Sequence, residues 1–311
     1  MEDEPMNNEE NGEENAARRF QPVISDDVSG VSCIRGTLDL SSALLRENFY
    51  SGQQAIGGAV AGAAYAQLKH AYEWDAGDMD DLVITANWIY NATVHRLMTL
   101  EGSLKVNPLT HRVEPPIGLG DVEKGFVVGR TDFTVNFEYN NRGLVDRHSD
   151  EPNHTQLVFA FAEFFNSCAK RKPYGVIECQ GDYLAIWKHS NCNSIFIFDA
   201  FPSRANPLPA LYRIKTGAGL MQFFKFLKDW KADDEYFLYN LVIESHGLYV
   251  PRNDDAPDDK DDKDDDAMDT DDAACRPPSP APRLARHFEQ CANQDPGQIS
   301  VNQMDCDDDV D

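Results

Sequence analysis

The chain has 311 residues, a formal net charge of −25, 41% hydrophobic residues and seven cysteines. This length allows a core that folds without disulfide support, and the negative charge argues against direct nucleic-acid binding, because phosphates would be repelled. The cysteines are scattered without a CxxC pair, which argues against a disulfide framework and against a structural zinc site.

Most of the negative charge lies at the two ends of the chain. Residues 1–19 carry −5 and residues 251–311 carry −13, which leaves −7 for residues 20–250. The run DDAPDDKDDKDDDAMDTDD at 254–272 cannot bury enough apolar surface to offset the entropy of ordering its backbone. We therefore expect disordered acidic tails at 1–27 and 251–311 around one domain at 28–250. The C-terminal tail is interpreted either as a solubilising segment or as an attractor for basic protein partners.

The sequence shows no targeting or membrane segment. The N-terminal region lacks the basic-then-apolar pattern of a signal peptide, and the longest apolar run, which begins at Ala55, is too short to cross a bilayer. We expect a soluble intracellular protein of the cytoplasm or nucleus, without membrane contact.

The first half of the domain is predicted to contain a strand and two helices. A short strand is expected in VSCIRGTLDL, which begins at Val31. The segment from Gln53 to Tyr72 has few polar residues and is predicted to be a central helix buried on most sides. An amphipathic helix is predicted to follow, with Asp78 as its N-cap.

The second half is predicted to be richer in strands. FVVGRTDFTVNFEY alternates like a half-buried strand, and TQLVFAFAEFFNSCAKR is predicted to be a helix. The runs GVIECQ, DYLAIWKH and SIFIFDAF predict an antiparallel meander whose core contains Trp187, Phe196 and Phe198. AGLMQFFKFLKDW predicts an amphipathic helix and EYFLYNLVIES a final strand. Helices followed by mainly antiparallel strands indicate an α+β domain.

Three short motifs carry a resemblance to a known family. RGTLDL lies at 35–40, GQQA at 52–55 opens the predicted buried helix, and FIFDAFPSR lies at 196–204. In this order they resemble the papain-like cysteine peptidases, in particular the deubiquitinating domain of herpesvirus large tegument proteins and its relatives in transposons and animal genomes. The resemblance covers about residues 34–245 and implies a papain-like fold, with a buried central helix packed on an antiparallel sheet.

The resemblance also implies where a catalytic site would lie. In the family a Gln-Cys pair starts the buried helix and supplies the nucleophile, and an upstream Gln donates to the oxyanion. A strand ends in Asp-x-His, in which the His is the base and the Asp orients it. In this sequence the nucleophile position is Ala55, the oxyanion position is Leu40 and the base position is Phe201, so only Asp199 is retained. The candidates for a remaining cleft are Gln53, Gln54, Asp199, Ser203 and Arg204.

These replacements imply an inactive member of the family. Loss of one member of a catalytic unit lowers the rate by roughly a thousandfold or more. The resemblance therefore implies a binding or scaffold protein whose partner is a ubiquitin-like protein or a basic protein. Purely structural roles remain open, namely helix-start hydrogen bonds for Gln53 and Gln54 and a turn carboxylate for Asp199.

Two other functions remain open from the residues alone. A working thiol hydrolase could use Cys179 or Cys192 with His189, although Cys179 also fits a buried apolar position and Cys192 an exposed turn. Alternatively, the acidic tail could be the functional part of a histone- or chromatin-binding protein. No histidine pair has the spacing of a zinc helix and no glycine loop has a phosphate-binding frame, so we expect neither a metal nor a cofactor.

Overall fold

The computed structural model describes residues 20–23, 30–38, 54–107, 113–147, 154–167, 174–189, 194–201 and 208–248. All of these residues belong to the first of two units into which the chain divides, Met1–Tyr249 and Val250–Asp311. None of the described helices is long and apolar enough to cross a membrane.

The described residues form strands and helices in a mixed order. The strands are β1 Gln21–Pro22, β2 Val31–Arg35, β3 Lys105–Val106, β4 Val113–Glu114, β5 Gly125–Val128, β6 Thr131–Leu144, β7 Tyr174–Cys179, β8 Asp182–Lys188, β9 Ile195–Asp199, β10 Ala210–Ile214 and β11 Glu235–Leu248. The α-helices are α1 Ala55–Leu68, α2 Ala76–His95, α3 Leu157–Ser167 and α4 Gly217–Gln222. The π-helical turns Arg96–Leu100 and Phe223–Leu227 extend α2 and α4. The result is the α+β fold that the sequence predicts.

A nine-stranded sheet organises the domain. Its strand order is β1-β2-β10-β9-β8-β7-β11-β6-β5, and neighbouring strands pair antiparallel. Strands β7, β8 and β9 are the predicted meander, and β11 is the predicted final strand. The run predicted as one strand, FVVGRTDFTVNFEY, instead forms the hairpin of β5 and β6, because Gly129 and Arg130 adopt positive φ angles of 56° and 70° at its turn.

Two apolar clusters fill the space on the two faces of the sheet. One contains residues of α1 and α2 together with Trp187, Phe196 and Phe198, which are fully buried as predicted. The other contains residues of α3 and the α4 region together with Ile197. Successive residues of β9 therefore point to opposite faces, as the period of a strand requires.

Helix α1 is buried on most sides, as the sequence predicts. Small residues allow this close packing. A Cβ atom placed on Gly57 would lie 2.4 Å from the carbonyl oxygen of Ala86 in α2, and one placed on Gly62 would lie 2.4 Å from the ring of Phe198 in β9. The glycines therefore let α1 lie directly against both a helix and the sheet.

Helix α2 begins earlier than predicted, so the prediction of Asp78 as N-cap is wrong. Asp75 is the N-cap, and its side chain accepts a hydrogen bond from the backbone N–H of Asp78 at 3.2 Å. The Asp78 side chain in turn accepts from the backbone N–H of Asp75 at 2.7 Å, which completes a capping box. Both positions of the box are aspartates, and the sequence alone does not show which of them is the N-cap.

Four strands were not predicted, namely β1, β3, β4 and β10, of which β3 and β4 pair only with each other in a small second sheet. Strand β10 lies between β9 and β2 and is buried along its whole length, although Arg213 interrupts its apolar sequence. Strand β1 lies within the range assigned to the N-terminal tail. Phe20, which precedes it, is buried against Tyr72 and Phe196, and this burial holds the short strand against β2.

Candidate functional site

The start of α1 carries a hydrocarbon side chain in a closely packed setting. The helix begins at Ala55, which is half-buried, and follows Gln54, which is fully buried. The next residue, Ile56, is part of the apolar core. The position that the resemblance assigns to the nucleophile therefore exposes only part of a methyl group.

The segment after β9 lies against this first helical turn. A Cβ atom placed on Gly58 would lie 2.3 Å from the Cβ atom of Ala200, the residue between Asp199 and Phe201. Phe201 packs on the same apolar cluster that contains Ile56. The structure thus places the segment Asp199–Phe201 against the first turns of α1.

The side chain of Asp199 forms an ion pair on the face of the sheet opposite α1. Its Oδ2 atom lies 2.7 Å from Nζ of Lys228, which follows the π-helical turn after α4, and both side chains are 2% exposed. Its Oδ1 atom accepts a hydrogen bond from the backbone N–H of Phe201 at 3.1 Å. The carboxylate therefore stabilises the turn after β9 and pairs with a lysine.

A second carboxylate shares this lysine. Nζ of Lys228 lies 3.2 Å from Oδ2 of Asp182, which also accepts a hydrogen bond from Nε1 of Trp230 at 3.2 Å. Burial alone would lower the pKa of Lys228, but the two carboxylates outweigh it and raise its pKa above the ordinary value. Burial raises the pKa of Asp199, and Lys228 opposes this rise. Lys228 therefore offsets only part of the effect of burial on the pKa of Asp199.

Several predicted site residues cannot be placed. Leu40, Gln53, Ser203, Arg204 and Cys192 lie outside the described residues. Of the predicted site, the structure describes Gln54, Ala55, Asp199 and Phe201.

Cys179 and His189 do not form the alternative catalytic pair. Cys179 pairs with Asp182 at one end of β8, and His189 follows the opposite end of that strand. Seven residues of strand separate these ends by about 20 Å. Cys179 is also 1% exposed, and its pKa is raised by burial and then by the nearby carboxylates of Asp234, Asp182 and Glu178.

His189 is held in a structural role. Its Nε2 atom accepts hydrogen bonds from Nε1 of Trp187 at 3.3 Å and from the backbone N–H of Ala71 at 3.4 Å. Its ring stacks on that of His70, with centroids 3.7 Å apart. The acceptor nitrogen is occupied by two donors, so it is not available to take a proton from a thiol. Within the described residues, no group of histidine, cysteine and acidic side chains could hold a metal ion.

A buried amide near the start of α1 was missed by the sequence analysis. The Tyr65 hydroxyl donates to Asp78 at 2.5 Å, and Gly57 lies against Ala86, so α1 and α2 run antiparallel. Asn91 in α2 consequently lies about one turn beyond the start of α1. It is 7% exposed, and its amide atoms have no hydrogen-bond partner in the described part of the chain. Its position inside an apolar pattern was the only signal in the sequence.

Comparisons with known proteins place the chain in one family. A family model described as "Herpesvirus tegument protein, N-terminal conserved region" matches residues 35–245. Among solved structures, the ubiquitin-specific protease encoded by murine cytomegalovirus tegument protein M48, in complex with a ubiquitin-based suicide substrate, matches with a TM-score of 0.54 and 10% sequence identity. The match covers 68% of this chain and 86% of that chain. No curated protein matches at a significant level.

Proposed function

Because the chain belongs to the family of the herpesvirus tegument protein N-terminal region and has the papain-like fold of a viral deubiquitinase, we propose that it is a catalytically inactive member. Its function is to bind a ubiquitin-like protein or to act as a scaffold, without cleavage. The observation that carries this proposal is the pair of hydrocarbon side chains, Ala55 and Phe201, at the start of α1 and in the segment packed beside it.

The chemistry of these positions supports inactivity. Alanine has no lone pair with which to attack a carbonyl group, and phenylalanine cannot accept or donate a proton. A cysteine peptidase needs both steps. Asp199, the third member of such a unit, is paired with Lys228 instead of an imidazole. An intact triad would require changes at two positions and the release of a buried ion pair.

The choice of a ubiquitin-like partner follows from the fold. The murine cytomegalovirus protein was solved with a ubiquitin-based substrate. The present chain shares its fold over most of that protein's length, so its surface beside the start of α1 is the place to look for a related partner. Loss of the nucleophile does not by itself remove such a binding surface.

Two assays of the full chain test this proposal. Isothermal titration with ubiquitin is expected to give a saturable complex, and a fluorogenic ubiquitin C-terminal conjugate is expected to release no fluorophore above the level without protein. Turnover that disappears when a native cysteine is replaced by serine would contradict inactivity. Absence of a ubiquitin complex would contradict the proposed partner.

A second role is proposed for the acidic C-terminal segment. Residues 251–311 carry a net charge of −13, so they would attract basic proteins such as histones at low ionic strength. Histone binding by the full chain is expected to weaken when the salt concentration is raised from 50 to 300 mM. Deletion of residues 251–311 is expected to abolish this binding. Equal histone binding by the shortened chain would contradict this role.

A further inference from the structure

A group of tyrosines surrounds one glutamate on the sheet face that carries α1. Glu178 in β7 pairs with Tyr183 in β8, and Tyr239 in β11 pairs with Tyr139 in β6. Tyr183 and Tyr239 pack at the edge of the apolar cluster that contains α1. We call Tyr139, Tyr183, Tyr239 and Glu178 the tyrosine face.

The tyrosine face lies close to the start of α1. Ala185 in β8 pairs with Phe198 in β9. Tyr183 is two residues before Ala185, so it lies at about the level of Ala200, which contacts Gly58 in the first turns of α1. A protein bound across the start of α1 would therefore also reach the tyrosine face.

The Glu178 carboxylate retains binding capacity. The Tyr183 hydroxyl donates to its Oε1 atom at 3.1 Å. Tyr239 in β11 pairs with Val176, two residues before Glu178 on the same face of β7, so Tyr239 is a diagonal neighbour of this carboxylate. Burial, and then the charge of Glu178, raise the pKa of Tyr239 to about 12. An ionised carboxylate has about four acceptor sites. None of the ion pairs among the described residues includes Glu178.

The aromatic rings add a second attraction for a cation. Tyr139 is 56% exposed, and its ring lies 6.1 Å from that of Tyr239 at an angle of 77°. The faces of aromatic rings attract ammonium and guanidinium groups, more strongly when water is partly excluded. Carboxylate and rings together favour a cationic ligand with an apolar stem.

We propose that the tyrosine face binds an arginine or lysine side chain presented by a protein partner. The head group of that side chain pairs with Glu178, and its stem lies against the tyrosine rings. This inference deepens the proposed function, and it rests on that function only for the identity of the partner. The cationic chemistry can be tested without the partner.

The first experiment uses a small probe on the full chain labelled with ¹³C in its tyrosine rings. The ring signals of Tyr139, Tyr183 and Tyr239, assigned by single Tyr→Phe replacements, are followed during titration with N-acetylarginine amide. We expect saturable shifts of these signals. The neutral isostere N-acetylcitrulline amide should cause no comparable shifts, and equal effects of the two probes on the wild-type chain would overturn the proposal.

A matched pair of variants tests whether the Glu178 carboxylate binds the cationic probe. Glu178→Gln is expected to weaken binding of N-acetylarginine amide about tenfold, which corresponds to about 1.4 kcal/mol. Glu138→Gln is the control, because Glu138 is exposed and bonds Asn240 on the opposite face of the sheet. Unchanged binding in Glu178→Gln, or equal loss in both variants, would overturn the proposal.

Titration of the same variants with ubiquitin separates this inference from the proposed function. Ubiquitin could fail to bind the wild-type chain while the arginine probe still binds in a Glu178-dependent way. In that case the proposed function is contradicted, and cation binding by the tyrosine face is supported. If ubiquitin binds the wild-type chain and Glu178→Gln equally well, the proposed function stands and the docking role of the tyrosine face is overturned.

Discussion

The side chains of Lys228 and Asp199 form a buried ion pair, with Nζ and Oδ2 2.7 Å apart. The partner of this aspartate, Lys228, follows the π-helical turn after α4, on the face of the sheet opposite α1. The same carboxylate also accepts the backbone N–H of Phe201. Asp199 therefore has a structural role, which does not depend on a histidine at position 201.

The ion pair predicts a strong dependence of stability on Lys228. Lys228→Met leaves Asp199 buried without its cation and is expected to lower the free energy of unfolding by about 3–5 kcal/mol. Urea denaturation measures this change. Lys231→Met is the control, because Lys231 pairs with Asp229 at an exposed site, and it should change the free energy by about 0.5 kcal/mol or less.

The double variant Lys228→Met/Asp199→Asn separates loss of the pair from loss of packing. Removal of both charges should recover much of the stability lost in Lys228→Met, because no unpaired buried charge remains. A double variant as unstable as the sum of the two single variants would show that the two side chains are not energetically coupled.

The contact between α1 and the segment after β9 predicts that Gly58 cannot be enlarged. Gly58→Ala places a Cβ atom 2.3 Å from that of Ala200, and such overpacking costs about 1–3 kcal/mol. This cost exceeds the gain of about 1 kcal/mol in helix propensity. Gly217→Ala, where an added Cβ meets no atom within 4 Å, is the control. A more stable Gly58→Ala chain in thermal unfolding would contradict the close contact.

The buried amide of Asn91 predicts a stabilising substitution. A buried polar group without a hydrogen bond costs about 1–3 kcal/mol, so Asn91→Leu, which has a similar volume, is expected to raise the free energy of unfolding by about 1 kcal/mol or more. Chemical denaturation measures the change. A clear loss of stability would mean that the amide has a bonding partner in the folded chain.

Burial of Cys179 predicts that its thiol is inert in the folded protein. Its raised pKa means that the thiolate, which is the reactive form, is scarce at pH 8. Alkylation with iodoacetamide at pH 8, mapped by mass spectrometry, should leave Cys179 unmodified until the protein is unfolded in urea. Rapid modification of Cys179 in native protein would reopen the possibility of a thiol hydrolase.

The regular parts of the fold could be predicted because their signals are local. Strands β7, β8 and β9 are short runs rich in strand-forming residues and are separated by turn residues, and α1 shows its burial by its lack of polar residues. Strand β10 was missed because Arg213 breaks its apolar run, and because its place between β9 and β2 depends on pairing partners far away in sequence.

The candidate site was only partly predictable for a similar reason. The resemblance proposes roles for positions 55 and 201, but it does not predict the partner of Asp199. Lys228 lies at the end of an amphipathic segment, where a lysine is usually exposed to solvent, and only the folded chain places it beside a buried carboxylate. Likewise, Glu178 and Tyr239 are brought together by two strands that are distant in sequence.

The most direct measurement compares the wild-type chain with Ala55→Cys after incubation with a ubiquitin-based thiol-reactive probe, using intact mass spectrometry. Leu248→Cys serves as a control with an exposed thiol, because Leu248 is largely exposed at the end of β11. We predict a one-ubiquitin adduct for Ala55→Cys and none for the wild-type chain or Leu248→Cys. An adduct on a native cysteine of the wild-type chain, or no adduct on Ala55→Cys, would contradict the account of an inactive site that still receives ubiquitin.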